Sequence, residues 1–550
     1  MEPASGRVVY DFFEEETSKQ SKFRLALETR MRQLHPAELI ISDGTLSKGT
    51  DGVLARVTQD GKCRLERLPE RTFSPSETLL KASTDMPTVV KRALSALHRH
   101  LNQYGLSDLV VVSKAKPLVD INTSCMLLDG QTIRDLELLR TSQGQKGSLF
   151  WLLDKTDTPV GRRTLREWIR KPLLDIHMIN ERLDMVEDLK AALDGNSSDG
   201  YVLQVRELLS ELKRAPDFGH LMTQLRSHVI TPKRTVLLLG SMIRMLSQVE
   251  ALARGASEAM EAKGPFAALR RAFQGVPAGS KWNVETVLQT INTDAIESTE
   301  KGEASKLEDS MPISADLIET FPGLVHAINN VKEAERQLRA ELDAVRETLG
   351  RPHLEWKTVR TGPSSSLEYM VELDRVDAKH IAPRDWSIVS QTKGVLRYHT
   401  ARTPDLHQRL LEAREEVVIA KDQAWRDHCR SICTSLCGSR LGVERLAPTD
   451  DRGEDGILPA LVDLVGMVDA VAALARVAAL PGYVRPCFTD KGDSGPRRVS
   501  LTNARHPILE HLVSDYVAND VQLRSSGAEA TSSATSLLVT GPNMGGKSSY

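Results

Sequence analysis

The sequence predicts a chain of several domains that is mainly helical and carries a small α/β unit at each end. Its length of 550 residues predicts three to five domains. Aromatic residues make up only 4% of the chain, which favours helices packed through leucine, valine and alanine. Apolar residues recur at helical spacing from about residue 122 to residue 480, whereas runs typical of strands occur near both ends.

The first hundred residues alternate between strand-like and helix-like patterns. Residues 8–10 predict a strand, apolar positions spaced along residues 23–34 predict a helix, and residues 39–41 predict a second strand after Pro36. This order is typical of a small α/β domain. Because the first strand begins almost at Met1, we expect this domain to lack its own beginning.

Helical spacing then dominates. Leu165, Trp168 and Ile169 share one face of a predicted helix, which we expect to end near Pro172 because proline cannot continue a helix. The next helix is predicted to turn four residues inward: Ile179, Leu183, Val186 and Leu189. The polar and glycine-rich residues 194–200 predict a loop.

The longest regular pattern predicts a helix from about residue 324 to residue 349. Its apolar residues form two columns with a seven-residue repeat, broken only at Glu335: Leu324, Ile328, Val331, Leu338, Leu342, Val345 and Leu349. Gly350 and Pro352 predict its end. At 1.5 Å per residue such a helix is about 40 Å long.

A second long helix is predicted to start at Thr403. Thr403 suits the N-cap position and Pro404 the first helical position. The apolar residues of this helix that we expect to be buried are Leu406, Leu410, Val417, Ala424 and Ile432.

Between the two long helices the hydrophobic period changes from 3.6 to 2. Leu367, Tyr369, Val371 and Leu373 alternate with the intervening residues, which predicts a strand. We therefore expect a small β-rich unit at the far tip of two helical arms, an arrangement typical of a lever that carries a gripping element.

The predicted tip is basic. Between residues 379 and 402 a single acid, Asp385, stands among five cations: Lys379, Arg384, Lys393, Arg397 and Arg402. A solvated charged surface is the general alternative. On a lever tip, in a chain whose net charge is only −2, contact with the phosphates of DNA is the favoured interpretation.

Residues 457–480 are apolar over a length that could span a bilayer. They also contain Asp463, Asp469 and Arg476, each of which costs about 2.5–3.5 kcal/mol near a membrane centre. We predict a buried core helix here and no membrane partner.

Six cysteines without a C-x-x-C motif predict a reducing, intracellular compartment. Cys429, Cys433 and Cys437 are spaced four apart and would stack along one helix face. Burial as small side chains is favoured there over a metal site.

The last residues carry a phosphate-binding motif. Residues 537–539 predict a central parallel strand, buried on both faces. They lead into G-x-x-x-x-G-K-S, whose glycines let backbone N–H groups close around phosphate oxygens. Lys547 would contact the β and γ phosphates and Ser548 would bind Mg²⁺. ATP and Mg²⁺ are the predicted cofactors, and a chance match is the alternative.

Four segments together resemble the MutS family of DNA mismatch-repair ATPases over essentially the whole chain. They are the loop TGPNMGGKS at 540–548 with its Asn543-Met544 pair, the segment 154–189, YVRP at 483–486 and RHP at 505–507. Within the family, residues 147–154, residues 383–399 and the Lys-Ser-Ser-Tyr ending resemble the homologue-three type of subunit. The homologue-six type is the alternative.

The resemblance implies a domain order. Residues 1–118 would form an RNase H-like connector, 119–345 and 406–480 a helical core with lever helices, 346–405 a small β-rich DNA clamp, and 481–550 the first part of an ABC-type phosphate-loop ATPase domain. The implied nucleotide-binding residues are Gly541, Pro542, Asn543, Met544, Gly545, Gly546, Lys547 and Ser548, with Tyr516 stacking on adenine. No catalytic residue is assigned.

The resemblance also implies partners. Such a chain would be a nuclear subunit that binds mismatched double-stranded DNA, in particular insertion–deletion loops. It would pair with a homologue-two type of subunit and act with a MutL-type downstream factor. The mismatch-reading domain and the Walker B carboxylate have no counterpart in the sequence, so we expect a fragment that alone does not hydrolyse ATP. A truncated DNA clamp or scaffold that does not hydrolyse ATP is the alternative function.

Overall fold

The structure is a computed structural model. It describes residues 8–13, 25–34, 36–44, 46–59, 63–74, 86–104, 116–117, 125–126, 128, 130–194, 199–254, 266–277, 279–301, 310–360, 366–438, 456–488, 498–512, 516–524 and 536–540. The chain forms two compact units, one of residues 1–230, 237–285 and 433–550, the other of residues 231–236 and 286–432.

The start of the first unit is an α/β region. Its elements are β1 (Val9–Tyr10), α1 (Leu25–Leu34), β2 (Glu38–Ser42), α2 (Lys48–Thr58), β3 (Arg64–Leu68), a 3₁₀ turn (Glu70–Phe73), α3 (Thr88–Asn102) and β4 (Lys116–Pro117). β1 pairs in parallel with β4, and β2 pairs in parallel with β3. The strand–helix–strand order predicted for this region is confirmed. Phe23, which was assigned to the helix, lies outside the described residues.

Helices follow, as predicted. They are α4 (Gly130–Asp135), α5 (Leu149–Leu153), α6 (Pro159–Arg170), α7 (Ile176–Leu193), α8 (Gly200–Leu212), α9 (Phe218–Arg226), α10 (Pro232–Arg254), α11 (Ala267–Phe273), α12 (Ser280–Gln289) and α13 (Thr293–Lys301). Helix α6 ends just before Pro172, and Leu165 is buried on it. Of the predicted loop at 194–200, residues 195–198 lie outside the described residues.

Two long helices flank a small sheet, and all of these residues except 433–437 belong to the second unit. The elements are α14 (Ala315–Ile318), α15 (Pro322–Leu349), β5 (Lys357–Arg360), β6 (Ser366–Asp374), α16 (Arg375–Ile381), β7 (Ser387–Gln391), β8 (Val395–His399) and α17 (Thr403–Cys437). All seven residues of the two columns predicted for α15 are buried, and Glu335 is exposed. The five apolar residues predicted for α17 are buried as well.

The two long helices touch through polar pairs. Asn330 of α15 donates a hydrogen bond to Glu416 of α17 over 3.0 Å, and Arg414 lies 3.6 Å from Glu335. One detail of the α17 start differs from the prediction. The hydroxyl that accepts the first backbone N–H groups belongs to Thr400, which takes those of Arg402 and Thr403.

The remaining elements are α18 (Ile457–Ala478), β9 (Arg498–Ala504), α19 (Leu509–Leu512) and β10 (Asn519–Arg524). Helix α18 packs against α6 and α7. Its contact with α6 is close because glycine lies on both helices, and a Cβ at Gly466 would meet Thr164 Oγ1 at 2.4 Å. β9 and β10 form an antiparallel pair. The predicted strand at Val499–Leu501 is confirmed.

Two described helices are long and apolar enough to cross a membrane by length and composition alone. The apolar stretch of 18 residues in α18 is 72% buried inside the protein, and the corresponding stretch in α10 is 44% buried. The prediction that residues 457–480 form a buried core helix is confirmed. Its buried acid, Asp469, is bound by donors of Thr158, the N-cap residue of α6, whereas Asp463 lies on the exposed side.

Cys429, Cys433 and Cys437 are all buried. A hydrogen bond with Cys433, together with burial, raises the pKa of the Cys437 thiol well above its ordinary value. All three cysteines thus lie among the buried side chains, and the burial predicted from the sequence is confirmed.

Candidate nucleic-acid and nucleotide sites

The small sheet between the long helices is antiparallel throughout, in the order β5-β6-β8-β7. The strict alternation predicted along β6 is wrong in its middle. Tyr369 has a φ of 55°, the register with β5 shifts beside it, and the next two residues, Met370 and Val371, are both buried. An extra residue in one strand is a β-bulge, which turns the following side chain onto the other face.

The core of this sheet is built partly from the end of a long helix. Val345 and Leu349, in the last turns of α15, are buried together with sheet residues and with α16. The other members of this cluster are Val371, Leu373, Ala378, Leu396 and Tyr398. Because the sheet and α15 share one core, the sheet is held in a fixed orientation on that helix.

The joint between the sheet and α17 is polar and buried. Glu341 of α15 accepts a hydrogen bond from the Thr400 hydroxyl over 2.7 Å, and Thr400 Oγ1 lies 2.8 Å from the Thr403 hydroxyl. The Arg402 guanidinium lies 3.4 Å from the other oxygen of Glu341. The carboxylate therefore ties the start of α17 to α15.

Two of the five predicted DNA-contacting cations are exposed on turns of the sheet. Arg384 lies in the turn between α16 and β7, and Lys393 lies in the β7–β8 hairpin turn. Both positions present a flexible cationic side chain to solvent, which suits a phosphate contact. Lys379 is part of α16, and the position of its side chain lies outside the described residues.

The other two cations pair with carboxylates of the same unit, and their contact with DNA stays a prediction. Arg397 on β8 binds Glu372 of β6 across the ladder, with 2.7 Å between Nε and the carboxylate oxygen and only 15% of its side chain exposed. Arg402 is 74% exposed and pairs with Glu341. Counting charges along the sequence could not separate these two from Arg384 and Lys393, because their partners lie 25 and 61 residues away in the chain.

One exposed cation was missed by the sequence interpretation. Arg375, the first residue of α16, donates its backbone N–H to the Gly394 carbonyl over 3.0 Å. This bond places it beside the hairpin turn that carries Lys393. Arg375 directly follows the strand pattern, at the point where the chain leaves the sheet. That position is the sequence signal that could have identified it as exposed. Two exposed carboxylates, Asp374 and Asp385, adjoin these cations in sequence.

The phosphate-loop residues Gly541 to Ser548 lie outside the described residues. The prediction of a buried strand before them is wrong for the described residues 536–540. Leu537, Leu538 and Val539 are 50%, 87% and 41% exposed and belong to no strand. A central strand needs neighbours on both edges to bond its backbone, and none of the described strands pairs with these residues.

Tyr516 is held by the RHP segment. Its hydroxyl accepts a hydrogen bond from the His506 backbone N–H over 2.8 Å, and the Arg505 guanidinium lies 5.4 Å from the centre of its ring. Nδ1 of His506 also accepts the N–H groups of Ile508 and Leu509 at 3.2 Å, which begins the short helix α19. The ring of Tyr516 is thus fixed in place from its hydroxyl end.

Comparison with known proteins decides the family. The family model for MutS domain III matches residues 131–475. The chain belongs to this family. The match takes in both long helices, the sheet between them and the α6–α18 pair.

Individual MutS relatives match over the full length of the chain. It is 29% identical to "DNA mismatch repair protein MSH3" of Chaetomium globosum, 26% identical to Msh3 of Mus musculus and 26% identical to Msh3 of Homo sapiens. In each case 100% of the chain is covered, against 45%, 47% and 45% of the relative. The chain therefore spans a little less than half the length of these relatives.

Proposed function

We propose that this chain is part of a DNA mismatch-repair subunit and that its four-stranded sheet is a clamp that contacts DNA phosphates. The family match and the names of the relatives support the process. The observation that carries the clamp is the exposure of Arg375, Arg384 and Lys393 at the end of a sheet that shares its core with a long helix.

Contacts of this kind bind the DNA backbone and carry no sequence information. The exposed carboxylates Asp374 and Asp385 reduce the positive charge of the surface. Binding through the clamp is therefore weak, independent of sequence and strongly dependent on salt. Recognition of insertion–deletion loops, the property of a homologue-three subunit, would then need further protein surfaces.

The domain order given above is part of the same proposal: connector at 1–118, core at 119–345 and 406–480, clamp at 346–405, and ATPase start at 481–550. ATP with Mg²⁺ is proposed for Gly541–Ser548 on the strength of the motif in the sequence. Tyr516, whose hydroxyl accepts the His506 N–H, is proposed as the residue that stacks on adenine.

The proposed setting is the nucleus. The proposed partners are mismatched double-stranded DNA, a homologue-two type of subunit and a MutL-type factor. The 100% coverage of this chain by Msh3 relatives supports the homologue-three type.

Binding of a fluorescent DNA duplex to the full chain tests the clamp. Arg384→Glu combined with Lys393→Glu should weaken binding and reduce the slope of log affinity against log salt by about 1.8, since each phosphate contact contributes about 0.9. Arg214→Glu, at an arginine that is 72% exposed on the helical core, is the matched control and should leave the slope unchanged. An unchanged slope in the double variant would refute the clamp.

Arg397→Glu separates DNA contact from folding. Since Arg397 binds Glu372 inside the sheet, we expect the substitution to lower stability by about 1.5–3 kcal/mol. At temperatures where the variant remains folded, its salt slope should match that of the unaltered chain. Thermal unfolding and DNA titration on the same sample give both values.

A further inference from the structure

Three polar side chains meet inside the α/β region at the start of the chain, far in sequence from the clamp. Glu38 and Glu66 lie on the paired strands β2 and β3, where Glu66 stands opposite Ile40. Residues 38 and 40 share one face of a strand, so both glutamates point to the same side of the pair. That side faces His100 near the end of α3, whose side chain is only 2% exposed.

The two nitrogens of His100 face different carboxylates. Nε2 lies 3.3 Å from Oε2 of Glu38, within hydrogen-bond reach. Nδ1 lies 3.6 Å from Oε1 of Glu66 and has no hydrogen-bond partner among the described residues. When Nε2–H donates to Glu38, the lone pair of Nδ1 points at a carboxylate oxygen. Nδ1 is buried while Glu66 is 21% exposed, and two acceptors that face each other in this way are stabilised by a positive charge between them.

The only other charged group in contact with this cluster, within the described part of the chain, lies on its outer side. The Arg64 guanidinium is 3.7 Å from Oε1 of Glu38 and 3.1 Å from Oε2 of Glu66. Its side chain is 67% exposed. Arg64 therefore approaches the oxygens that point away from His100, and the inner oxygens are left to the imidazole.

We propose that Nδ1 of His100 and the carboxylate of Glu66 bind a divalent transition-metal cation of the zinc type. Glu38 acts as the positioning residue that accepts Nε2–H. Two ligands 2.0–2.1 Å from Zn²⁺ at ordinary bond angles lie about 3.3–3.6 Å apart, which matches the separation of Nδ1 and Oε1. The same separation is too long for a hydrogen bond.

The chemistry of the donors selects the ion. An imidazole with a carboxylate suits Zn²⁺, whereas Mg²⁺ prefers a shell of oxygen ligands. A ligating histidine that donates its other N–H to a carboxylate is the usual arrangement around such ions, because that bond fixes the tautomer and the ring orientation. The ligand atoms of all three residues lie within 4.8 Å of one another. The ion would join β3 to α3 through two ligands, Glu66 and His100, that are 34 residues apart in the chain.

Calorimetric titration of Zn²⁺ into the full chain tests this site. We expect His100→Gln and Glu66→Gln each to remove one binding event and Glu38→Gln to weaken it about 10- to 100-fold. Glu70→Gln, at a glutamate exposed in the same region, is the matched control and should bind as the unaltered chain does. Mg²⁺ at the same concentration should not displace Zn²⁺. Circular dichroism of the near-isosteric glutamine variants confirms that they are folded.

Hydrogen exchange then shows where in the chain Zn²⁺ binds. Zn²⁺ should slow exchange in the peptide that covers residues 90–104 of the unaltered chain and of the Glu70→Gln variant, but not of the Glu66→Gln variant. Zinc binding that persists in both His100→Gln and Glu66→Gln, or exchange in this peptide that ignores Zn²⁺, would overturn the proposal.

Discussion

The carboxylate of Asp469 lies against the α-carbon of Gly161, so that a Cβ at residue 161 would come within 2.1 Å of Oδ2. The same carboxylate accepts the backbone N–H groups of Asp157 and Thr158 over 2.9 and 2.7 Å and the Thr158 hydroxyl over 2.6 Å. An acid on α18 thereby binds the N-cap residue of α6 and the residue before it, while the N-cap hydroxyl in turn accepts the N–H of Gly161.

Gly161→Ala should destabilise the first unit by about 1–3 kcal/mol, because the added methyl group cannot fit without moving Asp469 from its donors. The midpoint of urea unfolding measures the loss. Gly323→Ala is the matched control, since that glycine is also on a helix but has open space around its Cβ position. Equal midpoints for the two variants would contradict the close contact.

Asp469 should also make stability depend on pH. Burial raises its pKa above the ordinary value of 3.8, although the hydrogen bonds it accepts oppose the rise. The folded state then binds the proton more tightly than the unfolded state, so the free energy of unfolding falls as pH rises from about 3.8 through the folded pKa. Asp469→Asn removes this titration.

The stability advantage of the unaltered chain over Asp469→Asn should therefore shrink as pH rises across that window. Urea unfolding at several pH values from about 4 to 7 gives the difference. Asp463→Asn, at an exposed acid on the same helix, serves as the comparison. A difference that stays flat, or grows with pH, would show that the hydrogen bonds outweigh burial.

Leu338→Asp should loosen the second unit. Leu338 is 2% exposed in the middle of a column of α15, so an aspartate there is buried without a partner and costs about 3–5 kcal/mol. Hydrogen exchange should become faster in the described peptides between residues 310 and 438, and stay unchanged in the α/β region. Arg339→Asp places the same charge on the exposed side of the helix and should have little effect.

Two substitutions at Tyr516 separate its proposed stacking on adenine from its structural role as a hydrogen-bond acceptor. Tyr516→Phe removes the acceptor of the His506 N–H and should cost about 0.5–1.5 kcal/mol in stability while keeping the ring. Tyr516→Ala removes the ring as well and should weaken binding of a fluorescent ATP analogue about tenfold, the equivalent of about 1.4 kcal/mol. Equal nucleotide affinity in the phenylalanine and alanine variants would exclude stacking.

Periodicity in the sequence predicted the long helices well because it records burial directly. Leu338 is buried, as the seven-residue repeat requires, and Glu335, the one residue that breaks the repeat, is exposed. The bulge at Tyr369 could not be predicted in the same way. Its position depends on the register with β5, which no pattern within β6 contains.

Charge was a weaker guide than periodicity. Arg384 and Arg397 look alike in the sequence, but the first is exposed on a turn and the second lies opposite Glu372 in the sheet. The sequence shows Asp469 only as a charged residue in an apolar segment. Its hydrogen-bond donors could not be predicted because Asp157 and Thr158 precede it by more than 300 residues. Such partners become visible only when the chain is folded.

The shared core of α15 and the sheet has a consequence for biosynthesis. Val345 and Leu349 precede the strands in the chain, while α17 follows them. As the chain emerges from the ribosome, the sheet can condense on a finished helix as soon as β8 is free, before α17 has emerged. The Thr400–Glu341 hydrogen bond can then orient the first turn of α17 as it forms. Folding of this unit can thus proceed in the order of translation, without waiting for its last helix.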